Sequence, residues 1–145
     1  MLTETQTSAV RRLAEEVEEL EERLEGVARL GAEELDYFLD LYNWDDGFEV
    51  PTAIAAHPDC DQALALRLFW LADGLTWYTR EAPPGPYQQD WAAFCQMISE
   101  GLLSDRFPRG SLSFDPGLSR VASYRLRKAD VPEVLYQPVV EKPHP

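Results

Sequence analysis

The sequence predicts a mostly α protein: a compact multi-helix single domain with an N-terminal heptad-patterned helix and at most one short strand or hairpin. Three observations carry this. Val10, Leu13, Val17, Leu20, Leu24 and Val27 recur at spacings of 3, 4, 3, 4 and 3, the a/d stripe of a helix. Ala63, Leu64, Ala65, Leu66, Leu68, Phe69, Trp70 and Leu71 point all round one axis, the pattern of a central buried helix. Trp91, Phe94, Ile98 and Leu102 repeat the helical period later in the chain. The 145 residues amount to about one domain, with segments 1–31 (acidic heptad helix), 32–137 (helical core) and 138–145 (extended tail).

Each element follows from local chemistry. Glu15, Glu16, Glu18, Glu19, Glu21, Glu22 and Glu25 fill the wet faces of the first helix with strong helix formers, and Gly31 ends it. A second helix over 32–42 carries Glu33 and Glu34 in its first turn, where the helix dipole favours anions, and Leu35, Phe38, Leu39 and Tyr42 on one face. Asn43-Trp44-Asp45-Asp46-Gly47 breaks it with a turn dipeptide. Pro51 suits the first position of a short helix through Ala56, and Pro58 stops it. Asp59 or Asp61 caps the central helix, which Gly74 ends. Thr76 to Asp90, with Pro83, Pro84, Gly85 and Pro86, reads as a loop, and Asp90 to Leu103 as a helix. Ser111 to Phe114 alternates as a short strand or extended chain, Leu118 to Lys128 as a basic helix, and Pro138, Pro143 and Pro145 mark the tail.

Charge narrows the partners. The net charge is −13, which argues against nucleic acid, whose binding needs a basic surface, and against an anionic membrane. The charge is uneven: residues 1–61 hold 17 acids and 4 bases, residues 62–145 nine of each. Between 106 and 128, Arg106, Arg109, Arg120, Arg125, Arg127 and Lys128 face only Asp115. An acidic face of this kind steers a basic protein into contact. The start of the chain has neither the basic nor the apolar region of a signal peptide. The longest apolar stretch, 63–72, is interrupted by Arg67 and is too short to span a bilayer. Two cysteines without a pairing motif fit reduced thiols, so the expected location is cytoplasmic.

Leu41-Tyr42-Asn43-Trp44-Asp45-Asp46-Gly47-Phe48-Glu49-Val50-Pro51, then His57-Pro58-Asp59-Cys60-Asp61, then Ala65-Leu66-Arg67-Leu68-Phe69-Trp70-Leu71-Ala72-Asp73-Gly74 resemble an uncharacterised bacterial family catalogued as a domain of unknown function, with a YNWDDG…HPxCD…ALxxFW signature. The resemblance implies a domain type and no catalytic residues. Small proteins of this kind look like those found beside bacterial toxin genes, where immunity is one proposed role.

The chemistry at hand points the same way. Asp45, Asp46, Glu49, His57, Asp59, Cys60 and Asp61 gather carboxylates near a His-x-x-Cys pair, but depart from the calcium-loop pattern and lack a second ligand pair. A turn with helix caps is the plainer account. His57 as a general base, oriented by Asp59 or Asp46, has no nucleophile beside it. The sequence therefore gives no cofactor, no metal and no catalytic residue. The leading expectation is a non-enzymatic protein-binding protein, an immunity-type inhibitor that occludes a basic toxin. Its binding residues would be Glu33, Glu34, Asp36, Asp40, Asp45, Asp46 and Glu49, with aromatic anchors Trp77, Tyr78 and Tyr87 in the loop. The alternative is a scaffold that dimerises through Val10, Leu13, Val17, Leu20, Leu24 and Val27. A third reading is a small metal-dependent enzyme using the 45–61 cluster.

Overall fold

Side chains that satisfy open backbone N–H groups set three of the helix starts. Thr3 Oγ1 accepts from Gln6 N at 3.1 Å while Gln6 Oε1 accepts from Thr3 N at 2.8 Å, a reciprocal cap that opens α1 (Glu4–Glu15). Asp61 Oδ1 accepts from Leu64 N at 2.9 Å and opens α5 (Gln62–Leu71). Ser119 Oγ accepts from Ala122 N at 3.1 Å and opens α8 (Arg120–Lys128). The other helices are α2 (Leu20–Ala28), α3 (Ala32–Leu41), α4 (Glu49–Ala55), α6 (Gly74–Tyr78) and α7 (Gln89–Leu103). The computed structural model describes residues 1–143; within them the fold is all-α, with one isolated antiparallel bridge, Phe114 to Val139, in place of a sheet. His144 and Pro145 of the expected tail lie outside the described residues. No helix among the described residues is long and apolar enough to cross a membrane.

The chain divides into two compact units, 1–60 and 61–145. In the first, α1 packs on α3, α2 on α4, and α1 meets α2. Leu13 Cδ1 would lie 2.5 Å from a Cβ at position 26, so Gly26 is what lets the first two helices approach. Val10, Val27, Leu35, Phe38, Val50 and Ile54 are buried. The aromatic rings of Phe38, Tyr42, Trp44 and Phe48 follow one another at 5.7–5.9 Å, stacked and then edge-on.

In the second unit, α5 packs on α7, α6 contacts both, and the turn at Glu133–Leu135 rests on α7. Ala63, Leu64, Ala65, Leu66, Leu68 and Phe69 of α5 are buried, as a helix apolar on every side requires; Leu71, at its end, is exposed. Indole nitrogens tie the unit at two points: Trp70 Nε1 donates to Leu135 O at 2.9 Å and Trp91 Nε1 to Ala72 O at 2.7 Å. Asp61 is buried and anchors more than its own helix. Its Oδ2 accepts from Leu112 N at 3.1 Å, and Gln62 N donates to Pro108 O at 2.8 Å. A Cβ on Gly110 would stand 2.7 Å from Asp61 Oδ2. The 109–114 segment then pairs with 139–142 through Phe114 and Val139, Lys142 N to Gly110 O at 2.8 Å, and Arg109 reaching Val140 O and Glu141 O at 3.1 Å.

Four local expectations change. The heptad stripe does not run along one helix, because α1 stops at Glu15 and α2 starts at Leu20. A continuous helix would align Glu15, Glu18, Glu19 and Glu22 as like-charged neighbours three and four apart, which is destabilising. The break is closed by Arg23, whose Nη2 donates to Ala14 O at 2.8 Å and whose Nε donates to Val17 O at 2.7 Å. Secondly, the left-handed residue after α5 is Asp73 (φ 59°) and not Gly74. Asp tolerates this conformation, and Gly74 is required instead by Phe69, whose ring would lie 2.3 Å from a Cβ there. Thirdly, α4 begins at Glu49, two residues ahead of Pro51. Finally, the expected 76–90 loop opens as helix α6, so Trp77 and Tyr78 are helical.

Candidate functional site

Two grooves lie on the first unit, both built from the α1–α2 turn. One, of about 720 Å³, has an apolar floor of Ala9, Leu13, Val17, Gly26 and Leu30 and a polar rim of Glu4, Thr5, Ser8 and Arg12. The other, of about 660 Å³, is acidic: Glu15 and Glu18 from the α1–α2 region, Asp46 from the turn before α4, and Glu49 from α4, with Leu20, Leu41, Asn43 and Val50 completing the wall.

The acidic cleft is organised by Arg23. Its Nη1 donates to Asp46 Oδ2 at 2.9 Å, its side chain is 11% exposed, and its guanidinium lies 5.8 Å from the Tyr42 ring. One cation thus joins the end of α1, the start of α2 and the Trp44–Asp46 turn. Asn43 Oδ1 accepts from Asp45 N at 3.0 Å, and Gly47 (φ 103°) completes the reversal. Tyr42 Oη donates to Gly47 O at 2.7 Å. Burial pushes the Tyr42 hydroxyl up to about 12; Asp46 and Glu49 add to the rise, and Arg23 opposes it. The net sign of the cleft is negative: four carboxylates face one guanidinium already engaged by Asp46. Such a cleft receives a cationic side chain.

The expected binding residues separate on this geometry. Asp45 and Glu49 are exposed beside the cleft or in its wall, and Asp46 lies in it as the partner of Arg23. Glu34 is turned inward as a cap, its Oε1 accepting from Gly31 N at 3.0 Å. Glu33 pairs with the N-terminal ammonium at 3.0 Å, both groups in solvent. Asp36 and Asp40 share a face of α3, half-buried and exposed. The aromatic anchors divide as well. Tyr87 is fully exposed, whereas Trp77 is buried at 8% and Tyr78 is half-buried against it at 6.2 Å. Trp77 is therefore part of the interior of the second unit and not a surface anchor, because α6 turns it inward. Arg80 lies 4.7 Å from its ring and donates to Trp77 O at 2.7 Å; Trp77 Nε1 is buried without an acceptor among the described residues.

The stripe residues also separate: Val10 and Val27 are buried, Leu13, Val17 and Leu24 half-buried, and Leu20 exposed at 42%. Sequence reasoning did not single out Arg23, Glu15 or Glu18 for the cleft. The available signal was Arg23 itself, a lone base among seven glutamates.

His57, weighed as a general base, has a structural duty. His57 Nδ1 accepts from Asp59 N at 2.9 Å, and its Nε2 faces Ala28 O at 3.2 Å. Nε2 thus joins the turn after α4 to the end of α2, while Nδ1 holds the turn itself. Cys95 is buried, and burial pushes its thiol up to about 12, Asp73 raising it further and Arg80 opposing, which is the environment of a packed thiol. Among the described residues, no three His, Cys, Asp or Glu side chains group closely enough to hold a metal ion.

Residues 32–103 match the model of a family described as "Domain of unknown function (DUF4274)", and over that segment the chain is similar to its members. The match runs from the first residue of α3 to the last of α7, so α1, α2 and α8 lie outside it. No curated protein and no solved structure matches the chain.

Proposed function

We propose that the protein is a non-enzymatic binding protein, an immunity-type inhibitor that occludes a basic toxin through its acidic surface. The observation that carries this reading is the acidic cleft of about 660 Å³, with Glu15, Glu18, Asp46 and Glu49 in its wall and exposed Leu20 at its edge. A partner's Arg or Lys enters the cleft, an apolar contact forms on Leu20, and the surrounding carboxylates accelerate encounter. Steering of this kind raises association rates about 10- to 1000-fold and falls with salt.

Native mass spectrometry of the protein recovered from its own host at low salt tests the reading. The expected result is a stoichiometric complex with a basic protein that dissociates as salt rises. Glu18→Lys with Glu49→Lys should slow its association by about tenfold or more. Recovery of the protein alone, or a complex indifferent to both salt and charge reversal, overturns it.

A further inference from the structure

Helix α8 differs from every other helix here: none of its residues is buried. Val121 is 59% and Tyr124 52% exposed, and Arg120, Arg125, Arg127 and Lys128 are exposed around them. Ala122, Ser123 and Leu126, half-buried, form the opposite side. Lys128 Nζ lies 5.7 Å from the Tyr124 ring, and none of the four cations forms an ion pair among the described residues. No acid occurs between 116 and 129. A Tyr and a Val rimmed by Arg is the make-up of a protein-contact patch, and its sign calls for an acidic counterpart.

This chain supplies one. Residues 1–60 hold sixteen acids and four bases. Two of those bases already answer the unit's own acids, Arg23 with Asp46 and Arg12 with Glu16. A second copy brings that acidic surface, with exposed Leu20 beside Glu15 and Glu18, to a helix whose cations surround exposed Val121 and Tyr124. We infer that α8 is the docking face for the acidic first unit of a second copy of this chain, so that the protein associates head to tail. Such an interface pairs two different surfaces and closes as a reciprocal dimer or a ring, or stays open. It uses Val121 and Tyr124 as the apolar centre and the four cations for register and encounter rate.

Sedimentation velocity of the purified full chain tests this. From about 0.1 M to about 1 M salt the screening length contracts from about 10 Å to about 3 Å, so the lower concentration keeps a local contact while damping the repulsion between two chains of −13. The expected result is mass above the monomer at low salt, rising with protein concentration, and monomer at high salt. Arg125→Glu with Arg127→Glu, and separately Glu15→Lys with Glu18→Lys, should each weaken self-association about tenfold or more, while an equimolar mixture of the two variants restores it. The neutral pair Arg125→Gln with Arg127→Gln should give an intermediate loss and guards against misfolding of the reversed helix. Wild-type monomer at low salt at every concentration overturns the inference, as does association unchanged by the α8 variants. Monomer that instead binds a single-stranded RNA homopolymer through Arg125 and Arg127 also overturns it, in favour of a nucleic-acid face. The α8 variants leave the acidic cleft intact, so a basic partner still captured by them separates failure here from failure of the inhibitor reading.

Discussion

The two units hold their helices by different means. In residues 61–145 the centre is α5, apolar on all sides, and close approach is built in by glycines: Gly74 against Phe69 and Gly101 against Phe107. Its main polar anchor, Asp61, is buried and serves two segments at once. Residues 1–60 rely on side chains that reach across breaks: Arg23 over the α1–α2 turn, His57 onto the end of α2, Tyr42 onto Gly47. The Arg23 clamp is itself part of the wall of the acidic groove in this unit. Recognition surfaces belong on such elements, whereas a dense apolar interior serves as a frame.

Asp61→Ala is the strongest test of the frame. It removes a helix cap and a charged acceptor of a buried N–H, at a combined cost of about 3 kcal/mol, and chemical denaturation should report it. Arg23→Ala, expected to cost about 2 kcal/mol through its charge-assisted bonds to Ala14 O, Val17 O and Asp46, tests the clamps. Hydrogen exchange should then rise in α1, α2 and the Trp44–Asp46 turn; an equal rise in α5 and α7 would break the comparison. Gly74→Ala forces the Phe69 ring to move and should cost about 1–3 kcal/mol by overpacking. A variant as stable as the parent would mean that the second unit yields more easily than its packing implies.

Much of this fold was legible because it depends on local signals. The α5 pattern, the 91–102 period, the Asp46-Gly47 reversal and a cap for α5 at Asp59 or Asp61, which the structure gives to Asp61, are all written within a few residues. What was not legible depends on contacts across the chain. A 3–4 stripe gives no sign that Arg23 will take the carbonyls of Ala14 and Val17 and end the helix. A Pro-Gly-rich stretch after Thr76 does not reveal that α6 turns Trp77 inward. The cleft was half visible: Asp46 and Glu49 stood out as a cluster, but Glu15 and Glu18 read as wet helix faces until the break at 16–19 brought them beside that cluster.

Alkaline pH separates the two units by their titrating groups. The Cys95 thiol in α7 is raised from 9 to about 12, and the Tyr42 hydroxyl from 10 to about 12, burial being the first cause of each. A raised folded value means that the native state holds its proton more tightly than the unfolded chain. The stabilisation is therefore complete below the ordinary value and lost as pH climbs toward 12. The slope of each loss is at most about 1.4 kcal/mol per pH unit. Of these two groups Cys95 should decline first, between pH 9 and 10, and Cys95→Ala should reduce the loss there. Above pH 10 both decline, and Tyr42→Phe should remove its share while costing about 1 kcal/mol at neutral pH through the lost bond to Gly47 O. Denaturation midpoints at pH 8, 9.5 and 11, chosen to bracket the ordinary values of 9 and 10, distinguish the two. If Tyr42→Phe flattens the lower interval instead, Tyr42 is less enclosed than the Phe38–Tyr42–Trp44 stack implies, and the first unit is more open at its aromatic centre than at its grooves.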